Sequence, residues 1–87
     1  MVRDLLITNK RGLHARAAAR FVKVTEQFDA EIAVEKDGET VSGGSILGLM
    51  MLGAAVGTSI TVTAAGREAA AALDALTALV ESRFDEE

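Results

Sequence analysis

The sequence predicts a two-layer α+β domain, in which helices cover one face of a four-stranded antiparallel sheet and leave the other face to solvent. Two observations support this prediction. First, apolar residues recur at helical spacing in residues 15–28 and 67–84, which predicts two long helices. Second, strand-like segments and one short helix precede and separate these two helices, which gives the order βαββαβα. Because 87 residues are enough for one small hydrophobic core, we expect a single domain over residues 1–87.

The N-terminal half predicts a strand, a helix and a hairpin. Val2–Thr8 is short, rich in Leu and Ile, and runs into a loop, which is typical of a strand. Ala15–Phe28 carries an apolar stripe with its basic side chains elsewhere, which predicts an amphipathic helix. The stripe consists of Ala18, Phe21, Val22, Thr25 and Phe28. Glu31–Glu35 and Glu39–Ser42 flank Asp37-Gly38, a dipeptide that favours the tight turn of a hairpin.

The C-terminal half predicts a short helix, a last strand and a long helix. Gly43-Gly44-Ser45 is a breaker that ends in an N-cap residue, and the apolar segment Ile46–Leu52 has the length of a two-turn helix. Ser59–Ala64 alternates apolar and polar residues as a half-buried strand does. Arg67–Phe84 predicts an Ala-rich helix, and we expect the acidic Asp85-Glu86-Glu87 end to be frayed. The apolar stripe of this helix consists of Ala69, Ala72, Leu73, Leu76, Leu79, Val80 and Phe84.

The composition excludes several kinds of chemistry. The chain has no Cys, which rules out disulfides, thiolate nucleophiles and Cys-ligated metals, and it has no Trp, Tyr or Pro. Histidine is the only side chain whose charge ordinarily changes between roughly pH 5 and 8, and the chain has one, His14. Residues 1–25 carry a net charge of +5 and residues 26–87 carry −9. We therefore expect a basic patch around His14 on an otherwise acidic body.

The sequence predicts neither export nor membrane insertion. Met1–Asn9 lacks the apolar core of a signal peptide. The uncharged stretch Thr40–Gly66 is strongly apolar only over Ile46–Val56, about half of the ~20 residues that a bilayer-spanning helix needs. We therefore expect a cytoplasmic protein without a membrane-spanning segment.

The segment Gly12-Leu13-His14-Ala15-Arg16 places the single histidine where a loop enters the first helix. The first N–H groups of a helix have no intrahelical partner and carry partial positive charge, so this position favours an anion. A phosphoryl group on the imidazole would reach the N–H groups of Ala15, Arg16 and Ala17, and the Arg16 guanidinium would bind it bidentately. The pattern favours a phosphoryl carrier. The alternative is that His14 is a helix cap or an ordinary surface residue.

Two motifs resemble the HPr family, the histidine phosphocarriers of the bacterial phosphotransferase system. Gly12-Leu13-His14-Ala15-Arg16-x-Ala18-Ala19 resembles the active-site signature, and Ser45-Ile46-Leu47-Gly48-Leu49-Met50-Met51-Leu52-Gly53 resembles the regulatory serine segment. The order βαββαβα is also similar to the open-faced β-sandwich of that family. Ala17 is a departure, because the family usually has proline at this position. This variant resembles the nitrogen-related, NPr-like branch of the family, which is associated with alphaproteobacteria.

The resemblance implies a route for the phosphoryl group. His14 would accept it from enzyme I, which takes it from phosphoenolpyruvate, and would pass it to an EIIA-type domain in sugar uptake or in nitrogen and carbon regulation. Arg16 would pair with the phosphate, and neither a cofactor nor a metal would be needed. Ser45 would be the target of an ATP-dependent HPr kinase/phosphorylase, in addition to its role as a helix cap. We expect the carrier to be a monomer.

The short helix is more apolar than a two-turn surface helix requires, which favours a docking patch for donor and acceptor proteins. The candidates for the patch are Ile46, Leu47, Met50 and Met51, and those for its basic rim are Arg16, Arg20 and Lys23. The alternative is that two of the four apolar side chains belong to the core. Two other functions stay open: a regulatory domain without covalent chemistry, and a nucleic-acid-binding module. The basic first third favours nucleic-acid binding, whereas the acidic remainder and the lack of Tyr and Trp disfavour it.

Overall fold

Residues 1–86 are described here from a computed structural model, and they form four strands and three helices in the order βαββαβα. The elements are β1 Val2–Leu6, α1 Ala15–Thr25, β2 Glu31–Lys36, β3 Glu39–Ser42, α2 Ile46–Met51, β4 Ser59–Ala65 and α3 Ala69–Glu81. A three-residue turn at Arg83–Asp85 follows α3. The predicted α+β class and element order are confirmed, and β1, α2, β2 and β4 differ from the predicted bounds by one or two residues.

The sheet has the strand order β1-β4-β2-β3, and every neighbouring pair is antiparallel. On the central strand β4, Ile60 pairs with Leu5 of β1 and Val62 pairs with Val34 of β2, and all four side chains are buried under the helices. The alternate positions of β4 carry Ser and Thr and point to the opposite face. The period-2 pattern therefore gives the sheet one covered and one open face.

Helices α1 and α3 bury the stripes that their sequences predict, with Phe21 and Leu76 fully inaccessible. The predicted first helix is too long, however, because α1 ends at Thr25 and not at Phe28. The N–H groups of Gln27 and Phe28 donate to carbonyl groups three residues earlier, which tightens the chain into a turn. Phe28 still packs against the core, so the apolar spacing continues beyond the helix itself.

The C-terminal end differs most from the prediction. Helix α3 begins at Ala69 and ends at Glu81, so the expected helix over Arg67–Phe84 is too long at both ends. Arg83, Phe84 and Asp85 have φ values of 58°, 55° and 59°, a left-handed run that costs non-glycine residues roughly 1–2 kcal/mol each.

This left-handed turn buries Phe84 completely. The expected frayed end is wrong for Asp85, which lies in this turn, and for Glu86, whose side chain is only 12% exposed. The rest of that expectation, at residue 87, lies outside the described residues. The C-terminal chain is therefore held against the body of the protein at least as far as Glu86.

Candidate functional site

The loop that presents His14 is fixed against the chain that follows α2. Gly12 has a φ of +64°, and a Cβ at this position would lie 2.3 Å from the Ala54 carbonyl oxygen. The next residue, Leu13, is buried and donates its N–H to the same Ala54 carbonyl at 2.9 Å. Only glycine fits this close approach of two backbone segments at a positive φ.

His14 is the N-cap residue of α1, as the sequence predicts. Its backbone is extended, and the first helical hydrogen bond runs from the Ala18 N–H to the His14 carbonyl at 2.8 Å. The N–H groups of Ala15, Arg16 and Ala17 therefore have no partner within the helix. The imidazole does not cap them, so this turn can offer several N–H donors and the positive end of the helix dipole to an anion.

The His14 ring contacts the C-terminal segment. Its Nε2 atom lies 2.5 Å from Oε2 of Glu86, and the two side chains are 21% and 12% exposed. The other carboxylate oxygen, Oε1, accepts a hydrogen bond from Nδ2 of Asn9 at 2.9 Å. Asn9 is fully buried and also donates to the Gly12 carbonyl at 2.8 Å.

The sequence reasoning missed both Asn9 and Glu86. Glu86 lies 72 residues from His14 and 77 from Asn9 along the chain, so no short motif contains the three residues. The one available signal was the sign of the charges, because the acidic C-terminal end complements the basic first third of the chain.

The surroundings of Glu86 favour its ionised form. Burial raises the pKa of the Glu86 carboxyl, but hydrogen bonds from Asn9 and His14 and the nearby charges of His14 and Arg11 outweigh burial, so the pKa lies below its ordinary value of 4.5. Glu86 is therefore a carboxylate at neutral pH, and a carboxylate can only accept hydrogen bonds.

A cleft of about 440 Å³ lies next to this contact. It is lined by Lys10, Arg11, Arg16, Arg20, Asp85 and Glu86. Arg16 is exposed, whereas the Arg20 guanidinium donates to the Phe84 carbonyl and so also holds the C-terminal turn. Within residues 1–86, four cationic and two anionic side chains meet at this cleft, which suits a further anion.

Ser45 caps α2 as predicted: its hydroxyl accepts a hydrogen bond from the Gly48 N–H at 2.9 Å. The predicted docking side chains all lie on the surface, with exposed fractions of 41% for Ile46, 67% for Leu47 and 41% for Met50. Met51 is also exposed, so the alternative in which two of the four residues belong to the core is wrong; Leu49 is the buried residue of α2.

This exposed apolar patch lies on α2, which packs against α1. Arg16, Arg20 and Lys23 follow one another at helical spacing along a single side of α1. Lys23 lies in the last turn and Arg16 in the first, so the basic row leads from the His14 end towards the far end of the helix.

The described residues lack two kinds of feature, a metal-binding cluster and a membrane-spanning helix. No group of three or more His, Asp or Glu side chains within residues 1–86 is arranged to hold a metal ion. In the same part of the chain, no helix has both the length and the apolar character needed to cross a membrane.

The described residues form an α+β domain in which a helix-covered antiparallel sheet places His14 at the start of the first helix, an arrangement that suits a phosphoryl carrier. The family model described as "PTS HPr component phosphorylation site" matches residues 1–82. The chain therefore belongs to the HPr family of phosphocarrier proteins.

Individual relatives cover almost the whole chain. The phosphocarrier protein NPr of Shewanella violacea is 46% identical over 84 residues, which cover 97% of this chain and 92% of the relative. HPr of Neisseria meningitidis serogroup A is 48% identical over 80 residues, covering 92% and 90%. These relatives confirm the resemblance to HPr and to its NPr-like members.

Solved structures confirm the fold. The crystal structure of HPr-C-His from Thermoanaerobacter tengcongensis has a TM-score of 0.95 at 42% identity, covering 100% of this chain and 98% of its own. An HPr dimer from the same organism has a TM-score of 0.77 at 44% identity and covers 92% of both chains. The monomeric state expected for the present chain stays a prediction.

Proposed function

We propose that this chain is a histidine phosphocarrier that accepts a phosphoryl group on His14 from phospho-enzyme I and passes it to an EIIA-type domain. The observation that carries the proposal is the position of His14 at the N-cap of α1, before three N–H groups that have no partner within the helix. An anion bound covalently to this ring meets donors that are already oriented.

The acceptor atom that fits the geometry is Nδ1. Nε2 is engaged by Glu86, which leaves Nδ1 as the ring nitrogen to accept the phosphoryl group. The Nδ1 lone pair forms the new N–P bond, the bond from phosphorus to the donor breaks, and the donor keeps that electron pair. Transfer to the EIIA-type acceptor is the same exchange in the other direction, so the chain itself needs no cofactor or metal.

The phosphoryl group would be held by charge and by backbone donors. Arg16 is exposed beside the cleft and can swing its guanidinium onto the phosphate. The N–H groups of Ala15, Arg16 and Ala17 supply the remaining donors. Ala17 adds one donor that the family's usual proline would lack.

We propose that donor and acceptor proteins dock on one face, formed by the exposed apolar side chains of α2 and the basic row of α1. The patch comprises Ile46, Leu47, Met50 and Met51, and the row comprises Arg16, Arg20 and Lys23. Flexible Met side chains suit a surface that must bind two different partners, and the basic row favours approach of acidic ones.

Ser45 is proposed as a regulatory site for an HPr kinase/phosphorylase. A phosphoserine would add about −1.5 to −2 charge at the N-terminus of α2, where the helix dipole stabilises it. The same charge would lie at the edge of the docking patch and would change the surface offered to partners. The proposed output is sugar uptake or nitrogen and carbon regulation, and the similar proteins include phosphocarriers with the names HPr and NPr.

Intact-mass measurement after incubation with phosphoenolpyruvate and enzyme I tests the carrier function. We expect the gain of one phosphate that is lost in acid and is absent from His14→Ala. Either of two results would exclude the proposal: an acid-stable adduct would place the phosphate on a residue other than histidine, and no adduct on the wild-type protein would favour a domain without covalent chemistry.

The role of Arg16 is tested by comparing Arg16→Ala with Arg67→Ala, which removes an equally positive side chain that is 79% exposed and pairs with Asp29. Phosphoryl transfer should slow in the first variant only. Equal rates in the two variants would remove Arg16 from the site.

The docking patch is tested by Leu47→Ser, with Leu6→Ser as the control, because Leu6 is 54% exposed but lies on the open face of the sheet. Binding of enzyme I, measured by calorimetry, should weaken only for Leu47→Ser. Equal affinities for the two variants would place the docking surface elsewhere.

A further inference from the structure

We propose that Glu86 is a positioning residue that fixes the orientation and the tautomer of the His14 ring, and that Asn9 holds the Glu86 carboxylate in place. This inference rests on the proposed function, because it concerns how His14 is prepared to accept a phosphoryl group. None of the motifs in the sequence includes either residue.

The contact with Glu86 determines which nitrogen of the neutral His14 ring carries the proton. Oε2 of Glu86 lies 2.5 Å from this nitrogen, and an ionised carboxylate can only accept. In the neutral ring Nε2 must therefore carry the proton, and Nδ1 keeps its lone pair in the plane of the ring. A hydrogen bond to a charged acceptor favours this tautomer by at least about tenfold over the other. The nucleophilic lone pair is thus on Nδ1, the ring nitrogen that is not engaged by Glu86.

Asn9 holds the Glu86 carboxylate in position through its side-chain amide. Nδ2 of Asn9 has two hydrogens: one goes to the Gly12 carbonyl at 2.8 Å and the other to Oε1 of Glu86 at 2.9 Å. Because both partners are acceptors, the amide can have only one orientation. The backbone carbonyl of Asn9 also accepts a hydrogen bond from the Gly12 N–H at 3.1 Å. One buried residue therefore fixes both the loop before His14 and the Glu86 carboxylate that contacts the His14 ring.

The backbone of the turn before Glu86 brings this residue to the His14 ring. Arg83, Phe84 and Asp85 form three successive left-handed residues, none of them glycine, a conformation that persists only where the surroundings enforce it. The burial of Phe84 and the hydrogen bond from Arg20 to its carbonyl supply that enforcement. The turn reverses the chain immediately before Glu86 and directs its side chain towards His14.

Nitrogen-15 NMR of the histidine ring is the direct test, because the shifts of the two ring nitrogens report which of them carries the proton. The wild-type protein should show the form protonated at Nε2. Glu86→Ala should lower that preference severalfold. Asp74→Ala is the matched control, since it removes an exposed carboxylate of α3 that pairs with Arg3 and does not line the cleft. Identical ring spectra for Glu86→Ala and the wild type, or identical changes in the two variants, would overturn the inference.

A double-mutant comparison separates the role of Asn9 from a general loss of stability. Asn9→Ala removes a buried side chain and is expected to lower the unfolding midpoint, but its effect on the ring tautomer should be absent when Glu86 is already Ala. Additive effects on the tautomer would mean that Asn9 does not act through Glu86.

Single-turnover phosphorylation by phospho-enzyme I links the inference to chemistry. We expect Glu86→Ala to be phosphorylated roughly three- to tenfold more slowly, because its ring is no longer held in one orientation, and Asp74→Ala to be phosphorylated at the wild-type rate. If the wild-type protein takes up no phosphate, the proposed function fails. If it does so but both variants match its rate, only the positioning role of Glu86 fails.

Discussion

At the scale of single residues, Glu86 joins the C-terminal end of the chain to the His14 loop only while it is ionised. Burial raises the pKa of its carboxyl, but the hydrogen bonds from Asn9 and His14 and the nearby charges lower it by a larger amount, so the pKa lies below its ordinary value of 4.5. A carboxyl with a lowered pKa in the folded state stabilises that state above its ordinary pKa. This stabilisation is lost as the pH falls through the folded-state value.

We therefore expect the Glu86 side chain to release the His14 ring as the pH falls through its folded-state pKa, which lies below 4.5, while Phe84 and Arg20 still hold the turn. The difference in unfolding free energy between the wild type and Glu86→Gln should shrink as the pH falls through this acidic range. Urea unfolding at a series of pH values measures it. A difference that stays constant down to pH values where all carboxyls are protonated would contradict the contact between the Glu86 carboxylate and the ring.

A second prediction at this scale concerns Ala17. Its N–H lies in the first turn of α1, before the first helical hydrogen bond, so proline at this position removes a donor without breaking a helical bond. If that donor binds the phosphoryl group, phospho-His14 in Ala17→Pro should hydrolyse about tenfold faster at neutral pH, the factor expected for one hydrogen bond to a charged group. The half-life of the phosphoprotein is the measurement.

Ala17→Gly is the control for this experiment, because it weakens the helix and keeps the N–H group. It should leave the half-life of the phosphoprotein unchanged. Equal half-lives for the proline variant and the wild type would show that the extra donor does not reach the phosphate.

At the scale of the elements, α2 depends strongly on its cap. A helix of six residues that includes Gly48 has little intrinsic stability, and the Ser45 hydroxyl satisfies one of its first N–H groups. Ser45→Ala should lower the unfolding free energy by about 1 kcal/mol. Ser45→Asp keeps an acceptor at the cap and adds a favourable negative charge, so it should be close to the wild type. Urea unfolding of the three proteins tests this, and equal stability of the alanine variant would contradict the capping role.

Helix starts could be predicted from the sequence more reliably than helix ends. His14 and Ser45 are N-cap positions whose signals lie within a few residues of them. Phe28 and Phe84 continue the apolar spacing of α1 and α3, yet both lie in turns beyond the last helical residue. Apolar periodicity reports which side chains are buried, and a turn can bury a phenylalanine as well as a helix can.

The same distinction applies to the candidate site. His14, Arg16 and the first N–H groups of α1 are neighbours in the sequence, so their association could be inferred from a short motif. Asn9 and Glu86 join the site only because the loop after β1 and the turn after α3 meet in the folded chain. That meeting depends on tertiary packing, for which the sequence holds no local pattern.

At the scale of the whole molecule, the fold brings the acidic C-terminal end to the basic cleft formed by the first third of the chain. Asp85 and Glu86 partly neutralise Lys10, Arg11, Arg16 and Arg20. The basic patch expected from the charge asymmetry is therefore already occupied in part by the chain itself. A phosphoryl group on His14 would add negative charge beside these two carboxylates, so the response of the C-terminal segment is linked to the state of the ring.

Phe84 anchors the acidic C-terminal residues to the hydrophobic core, because it is completely buried and immediately precedes Asp85 and Glu86. Phe84→Ala should lower the unfolding free energy by about 3–5 kcal/mol, a large part of the stability of a small domain. It should also release Glu86, so adding Glu86→Ala should not slow phosphorylation further. Phe84→Leu keeps more of the buried volume and should preserve both stability and the effect of Glu86→Ala more fully. Unfolding curves and single-turnover rates for these variants and their doubles measure the coupling. If Glu86→Ala slows the Phe84→Ala protein as much as it slows the wild type, the core does not position the carboxylate on His14.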